Sequence, residues 1–308
     1  MSAKAAIWLR GRRGAIAAKR RGPPPAPKLI LYEYEGSPWC RRVREHACSL
    51  DLELHIRPCP REAFLAHVGP PFQSEGYCGP LSRFRSEVKK LGGSLYFPFL
   101  VDETAGVAMN ESSQIVRHLW KNYAENVIPE WPRPTSSYNL ALLSNFSNML
   151  KLNNILEDQA CLSPPSSRIW RLLDVPSLVA SCLLRPMPRN GVMLRPARER
   201  KEQGSISLHG HEGCAETRLV RETLSCLQLP YLLIPTATVG GSRSSFMAAR
   251  TGGQENAGNS CTSTSSLSVI PVLVDGDKEL HGACSAIEHL ERSYALGPPL
   301  SYFAAAAR

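Results

Sequence analysis

One stretch of this chain occurs twice. Residues 35–56 align without gaps to residues 212–233, at an offset of 177. EGSPWCRRVREHACSLDLELHI lies over EGCAETRLVRETLSCLQLPYLL, and eight of the 22 positions are identical. Ordinary composition gives roughly one or two such matches. Cys40, Val43, Ala47 and Leu50 fall on one helical face, and Thr217, Val220, Leu224 and Leu227 repeat it. Arg41, Arg42, Arg44 and Glu45 lie on the other face. A duplicated unit restricts the fold more than any single motif does, because one architecture must serve both copies.

The surroundings of each copy agree. Leu29-Ile30-Leu31-Tyr32 reads as a buried strand, and Ile206-Ser207-Leu208-His209 takes its place in the second copy. Glu35-Gly36-Ser37-Pro38 breaks the first strand. Ser37 suits an N-cap and Pro38 the first helical position, where a missing N–H costs nothing. Downstream, Phe97-Pro98-Phe99-Leu100-Val101-Asp102 lies over Ile270-Pro271-Val272-Leu273-Val274-Asp275. Proline at this point belongs at a strand start or an edge. A helix closes each copy, ending His-Leu-Trp-Lys-Asn-Tyr-Ala in the first and His-Leu-Glu-Arg-Ser-Tyr-Ala in the second. In repeat one a short helix is expected over residues 82–91, with Phe84, Val88 and Leu91 facing the core and Gly92-Gly93 ending it. Each repeat therefore reads β-α-β-(α)-β-β-α.

Ser-Pro-Trp-Cys at a strand–turn–helix junction resembles the active-site turn of thioredoxin-like proteins. It is most similar to glutaredoxins and to the N-terminal domains of glutathione transferases. The tandem arrangement resembles two-domain plastid proteins of plants and algae. The expected fold class is α/β, two thioredoxin-like domains in tandem, each a mixed four-stranded sheet flanked by helices. The resemblance implies that Pro98 and Pro271 follow cis peptide bonds. It also makes glutathione the expected ligand, bound by Phe97, Pro98, Glu111 and Ser112. A Glu-Ser pair before the last helix would hold the γ-glutamyl end: the helix start favours a carboxylate, and Glu111 meets an ammonium.

The candidate catalytic residues are Ser37, Cys40 and Cys214. Ser37 cannot form a mixed disulfide, but its hydroxyl could donate to a thiolate; as an ordinary cap it contributes about 1 kcal/mol. Cys40 reads either as an inert core thiol or as a cysteine at a resolving position without its partner. Cys214 stands at the attacking position of repeat two, at a helix start, which suits a single-thiol mechanism. Gly282-Ala283 replaces Glu111-Ser112 there, so the γ-glutamyl site is expected only in repeat one. The ten cysteines contain no C-x-x-C and no zinc spacing. No metal is expected, and His209 and His211 alone would make a weak pair.

Residues 1–28 hold eight of the net nine positive charges and no acid, which removes most of the case for nucleic-acid binding. This leader resembles an organelle transit peptide, plastid before mitochondrion; the alternative is a basic disordered tail on a cytoplasmic protein. The expected boundaries are 1–28 for the leader, 29–125 for domain one, 126–204 for a linker with one or two helices, 205–296 for domain two with a Ser/Thr-rich insert, and 297–308 for a tail. Within the linker, residues 139–156 show helical spacing, and residues 169–184 form an apolar stretch interrupted at Pro176. No run reaches the roughly 18 apolar residues of a membrane span. The leading functional expectation is a glutathione-binding protein with thiol exchange, with a protein thiol as a second partner. The alternative is a non-catalytic interaction module. A full glutathione transferase ranks third, because those enzymes need an all-helical second domain.

Overall fold

A computed structural model describes residues 10, 14–15, 17–18, 24–61, 82–125, 176–182, 195, 197–198, 205–236 and 270–296. The helix expected over residues 139–156, the insert before Pro271 and the tail lie outside them.

Repeat one runs β1 (Leu29–Glu33), α1 (Pro38–Ser49), β2 (Leu54–Pro58), α2 (Arg85–Gly92), β3 (Phe99–Asp102), β4 (Val107–Asn110) and α3 (Ser112–Tyr123). Repeat two runs β5 (Ile206–Gly210), α4 (Ala215–Cys226), β6 (Tyr231–Pro235), β7 (Val272–Asp275), β8 (Lys278–His281) and α5 (Ala283–Tyr294). In both, the first strand pairs parallel with the second and antiparallel with the third, which pairs antiparallel with the fourth. Tyr32 stands opposite Phe99 and His209 opposite Val272, so the register repeats as well.

The expectation of two four-stranded sheets needs correcting. One eight-stranded sheet runs β4-β3-β1-β2-β6-β5-β7-β8. β2 and β6, the outer strands of their own units, pair antiparallel with each other. The physical reason is the edge: each outer strand offers a row of N–H and C=O groups, and each row satisfies the other.

Alternation along the strands separates two cores. Leu29, Leu31, Leu54 and Ile56 join Val43, Ala47, Ile115 and Leu119 from α1 and α3, and the same core continues through Leu208, Val220, Leu224, Ile287 and Leu290. Ile30 and Tyr32 face the other way, against Val88 of α2, Leu95 and Phe99. Gly93 ends α2 in the left-handed region at φ 69°, as a C-cap glycine does. Phe84 and Val88 pack inward, but Leu91 is 55% exposed. Leu95, past the Gly93 turn, fills the place expected of it. Residues 176–182 are helical, and the part of the apolar stretch before Pro176 lies outside the described residues.

Each closing helix is tied to a strand by a repeated polar latch. His118 Nε2 and Tyr123 Oη lie 2.7 and 2.5 Å from Asp102 Oδ2. His289 Nε2 and Tyr294 Oη lie 2.8 and 2.6 Å from Asp275 Oδ2.

Candidate functional site

Ser37 caps α1 with extended backbone (φ −83°), and its Oγ accepts the Cys40 N–H at 3.3 Å. The bonds before Pro98 and Pro271 are both cis, matching what the resemblance implied. The turn and the Pro98 loop meet through their aromatic neighbours. Tyr34 and Phe97 stand edge to face at 6.2 Å, and the Arg85 guanidinium lies 4.8 Å from the Phe97 ring centre. Asn110, beside Glu111, pairs with Phe99, beside Pro98, so the β3–β4 register brings the start of α3 to the same loop. Glu111 is exposed with φ 69°, and Ser112 is buried in the first turn of α3. Ser37, Phe97, Pro98, Glu111 and Ser112 thus belong to neighbouring elements at one end of the sheet.

Cys40 separates from that group. It is fully buried, and burial pushes its thiol up to about 12. A thiol so placed holds its proton at neutral pH, and the geometry favours the inert reading. Ser37 is 2% exposed, so its hydroxyl serves the cap and the Cys40 thiol.

In repeat two, Cys214 caps α4, and its Sγ accepts the Thr217 N–H at 3.4 Å. It is partly exposed, unlike Cys40. The Thr217 side chain presses on the backbone: a Cβ at Gly210 would come within 2.5 Å of it, so the strand narrows to glycine there. Gly282 N–H donates to Pro271 O at 2.8 Å, joining the cis-proline loop to the start of α5.

Sequence reasoning missed the largest polar feature. The helical face bearing Arg41, Arg44 and Glu45 is buried, not solvated. It meets its own counterpart across the β2–β6 seam. Arg44 binds Glu33, lies 2.9 Å from Glu35, and reaches Glu212 of repeat two at 2.6 Å. Arg221 lies 2.9 Å from Glu35 and 3.1 Å from Glu212. Arg41 pairs with Glu45 at 3.0 Å, and Arg218 with Glu222 at 3.1 Å. Ser181, from the helical segment 176–182, accepts from Arg41 through Oγ and from Arg218 through its carbonyl, each at 3.0 Å. Arg10, read as part of the leader, closes on Glu45 with bonds of 2.9 and 2.5 Å and is 3% exposed.

Burial sets the titration of this network. It raises the Glu33 carboxyl to about 7, with Arg44 pulling the other way. Burial also pushes Glu35 up, but Arg221 and Arg44 outweigh it and hold Glu35 at about 2. Glu35 and Glu212 each stand two residues before the capping residue of their turn, Ser37 and Cys214. The network therefore forms a charged floor between the two turns. Among the described residues, no group of three or more His, Cys, Asp or Glu side chains could hold a metal ion, and no helix is long and apolar enough to cross a membrane.

Compared with known proteins, residues 31–127 match the family model of the glutathione S-transferase N-terminal domain. No curated protein and no solved structure matches the chain. The match spans the Ser37 turn, the Pro98 loop and Glu111-Ser112 together, so this part of the chain is similar to the N-terminal domain of glutathione S-transferases, and the mixed α/β order of its described residues fits a thioredoxin-like fold.

Proposed function

We propose that the chain is a tandem pair of thioredoxin-like units in which repeat one binds glutathione and repeat two does not. The observation that carries this reading is the gathering of the cis Phe97–Pro98 bond, Glu111 and Ser112 within residues 31–127, set against Gly282 and Ala283 in repeat two. The Pro98 loop would pair with the backbone of a bound tripeptide. The α3 N-terminus and Ser112 would hold the γ-glutamyl carboxylate, and Glu111 its ammonium. Ser37 is committed as a cap and Cys40 is protonated, so repeat one serves binding rather than thiol exchange.

A second reading concerns Cys214. Its sulfur sits at a helix start, on the Thr217 N–H and partly exposed, and this favours a single-thiol exchange partner on repeat two. That thiol would attack a disulfide sulfur, forming a mixed disulfide and releasing the other half as thiolate.

Titration calorimetry of the full chain with reduced glutathione tests the first reading. Binding is expected, with at least a tenfold loss for Glu111→Ala combined with Ser112→Ala and no change for Cys214→Ser. Absence of heat, or binding that ignores Glu111 and Ser112, would sink it.

A further inference from the structure

The strand register and the Arg–Glu ion pairs across the seam come in matched pairs. The offset of 177 carries Leu54 to Tyr231, His55 to Leu232 and Ile56 to Leu233. In the sheet, Leu54 faces Leu233, His55 faces Leu232 and Ile56 faces Tyr231. Exchanging the repeats maps this register onto itself: His55 stands opposite its own counterpart, and the flanking pairs trade places. The charges behave the same way. Arg44 reaches Glu212 at 2.6 Å while Arg221 reaches Glu35 at 2.9 Å. Arg41 lies 3.9 Å from Glu212, and Arg218 lies 3.9 Å from Glu35. The turns that follow the two helices match too, with Asp51 at φ 55° and Gln228 at φ 50°.

Such reciprocity, in which i meets j and j meets i, is the signature of contact between two copies of one surface. The identical positions of the repeat agree with it. Their charged members are Glu35, Arg41, Arg44 and Glu45, and all four join the seam network in both copies. A charged residue on a solvated helix face has little reason to recur after duplication; one needed at both ends of a reciprocal ion pair does.

The charge balance permits self-pairing. Repeat one contributes Arg41 and Arg44 against Glu33, Glu35 and Glu45, and the segment before it adds Arg10. Repeat two contributes Arg218 and Arg221 against Glu212 and Glu222. The extra acid of repeat one, Glu33, replaces Gly210 and is matched by the extra base, Arg10. With Arg10 counted, each half brings equal acid and base to the seam, so neither needs an oppositely charged partner.

We infer that the seam is a symmetric dimer interface held within one chain. The surface made by the β2 edge with Glu35, Arg41 and Arg44 fits a second copy of the same unit, and the covalent linker is not what holds the pair together. Any separate unit bearing this edge strand and this Glu…Arg-x-x-Arg-Glu helix face is a partner of the right chemistry.

The test uses the whole chain with a protease site inserted within residues 126–175. After cleavage the two pieces are expected to stay paired. Native mass spectrometry, on incubation, should then show three pairs: one of each piece, two of repeat one, and two of repeat two. Arg44→Met should weaken every pair that contains repeat one about a hundredfold or more, leaving the repeat-two pair unchanged. Pieces that separate or precipitate on cleavage, or that pair only as one of each, would overturn the inference.

Discussion

Arg221→Met is the most informative single substitution. Arg221 is 1% exposed and holds Glu35 through bonds of 2.9 and 3.1 Å and Glu212 at 3.1 Å. Methionine fills much of the same space and removes the charge, leaving two buried carboxylates with one partner fewer. Breaking one side of a buried ion pair costs about 3–5 kcal/mol. At about 2–4 °C per kcal/mol the melting temperature falls by on the order of 10 °C. The pH dependence identifies the cause. Arg221 and Arg44 hold Glu35 at about 2 against burial. In the natural chain that depressed carboxyl stabilises the fold above about 4.5, and the contribution is lost as pH falls through its folded value. Without Arg221, burial prevails and the carboxyl rises, so the deficit of the variant is largest at neutral pH and narrows on acidification. Adding Glu35→Gln should restore at least about 1 kcal/mol through removal of the stranded charge. Urea unfolding followed by circular dichroism at pH 5 and pH 7.5 measures all of this. A loss below about 1 kcal/mol, or a deficit independent of pH, would refute the reasoning.

Glu33 carries the opposite sign. Its carboxyl is raised from 4.5 to about 7, so its contribution is complete below 4.5 and is lost as pH rises through 7, by about 3 kcal/mol. Glu33→Gln should flatten the stability profile over that window; an unchanged slope in chemical unfolding counts against it. Asp102→Asn weakens the latch to His118 and Tyr123, with an expected loss of about 1–3 kcal/mol seen in thermal melts. Hydrogen bonds from Tyr123 and His118 outweigh burial and hold the Asp102 carboxyl down, so its contribution is present at neutral pH and disappears in acid. Iodoacetamide should modify Cys214 well before Cys40, whose thiol burial pushes to about 12; peptide mapping that finds Cys40 first would reverse the assignment.

Much of the fold is legible in the sequence because duplication doubles each signal. The strand at Leu29–Glu33, the Ser37 cap and the Phe97-Pro98 strand start each follow from local chemistry, and each is echoed at the offset of 177 or downstream of it. The seam was not read, for a physical reason. Arg41, Arg44 and Glu45 have the composition of a solvated face, and periodicity alone cannot tell water from a second copy of the same face. The signal was present in the identities: half of the eight repeated positions are charged. Likewise Leu54-His55-Ile56-Arg57 alternates as any half-buried strand does, whether or not its edge is paired. Leu91 misled because helical spacing continued to the last turn while the core passed to Leu95.

Arg10 reaches back from a basic extension to a carboxylate under the sheet, and Gly14 passes so close that a methyl there would meet Glu212 at 2.6 Å. Ala18 N–H bonds to Ser49 O at 2.8 Å. Arg10, Gly14 and Ala18 are therefore built into the fold. A cut between residue 18 and β1 would take away a guanidinium that the α1–α4 pair uses and leave Glu45 without its Arg10 partner. With that guanidinium gone the space it fills beneath α1 would open, so trimming this extension would change the seam itself.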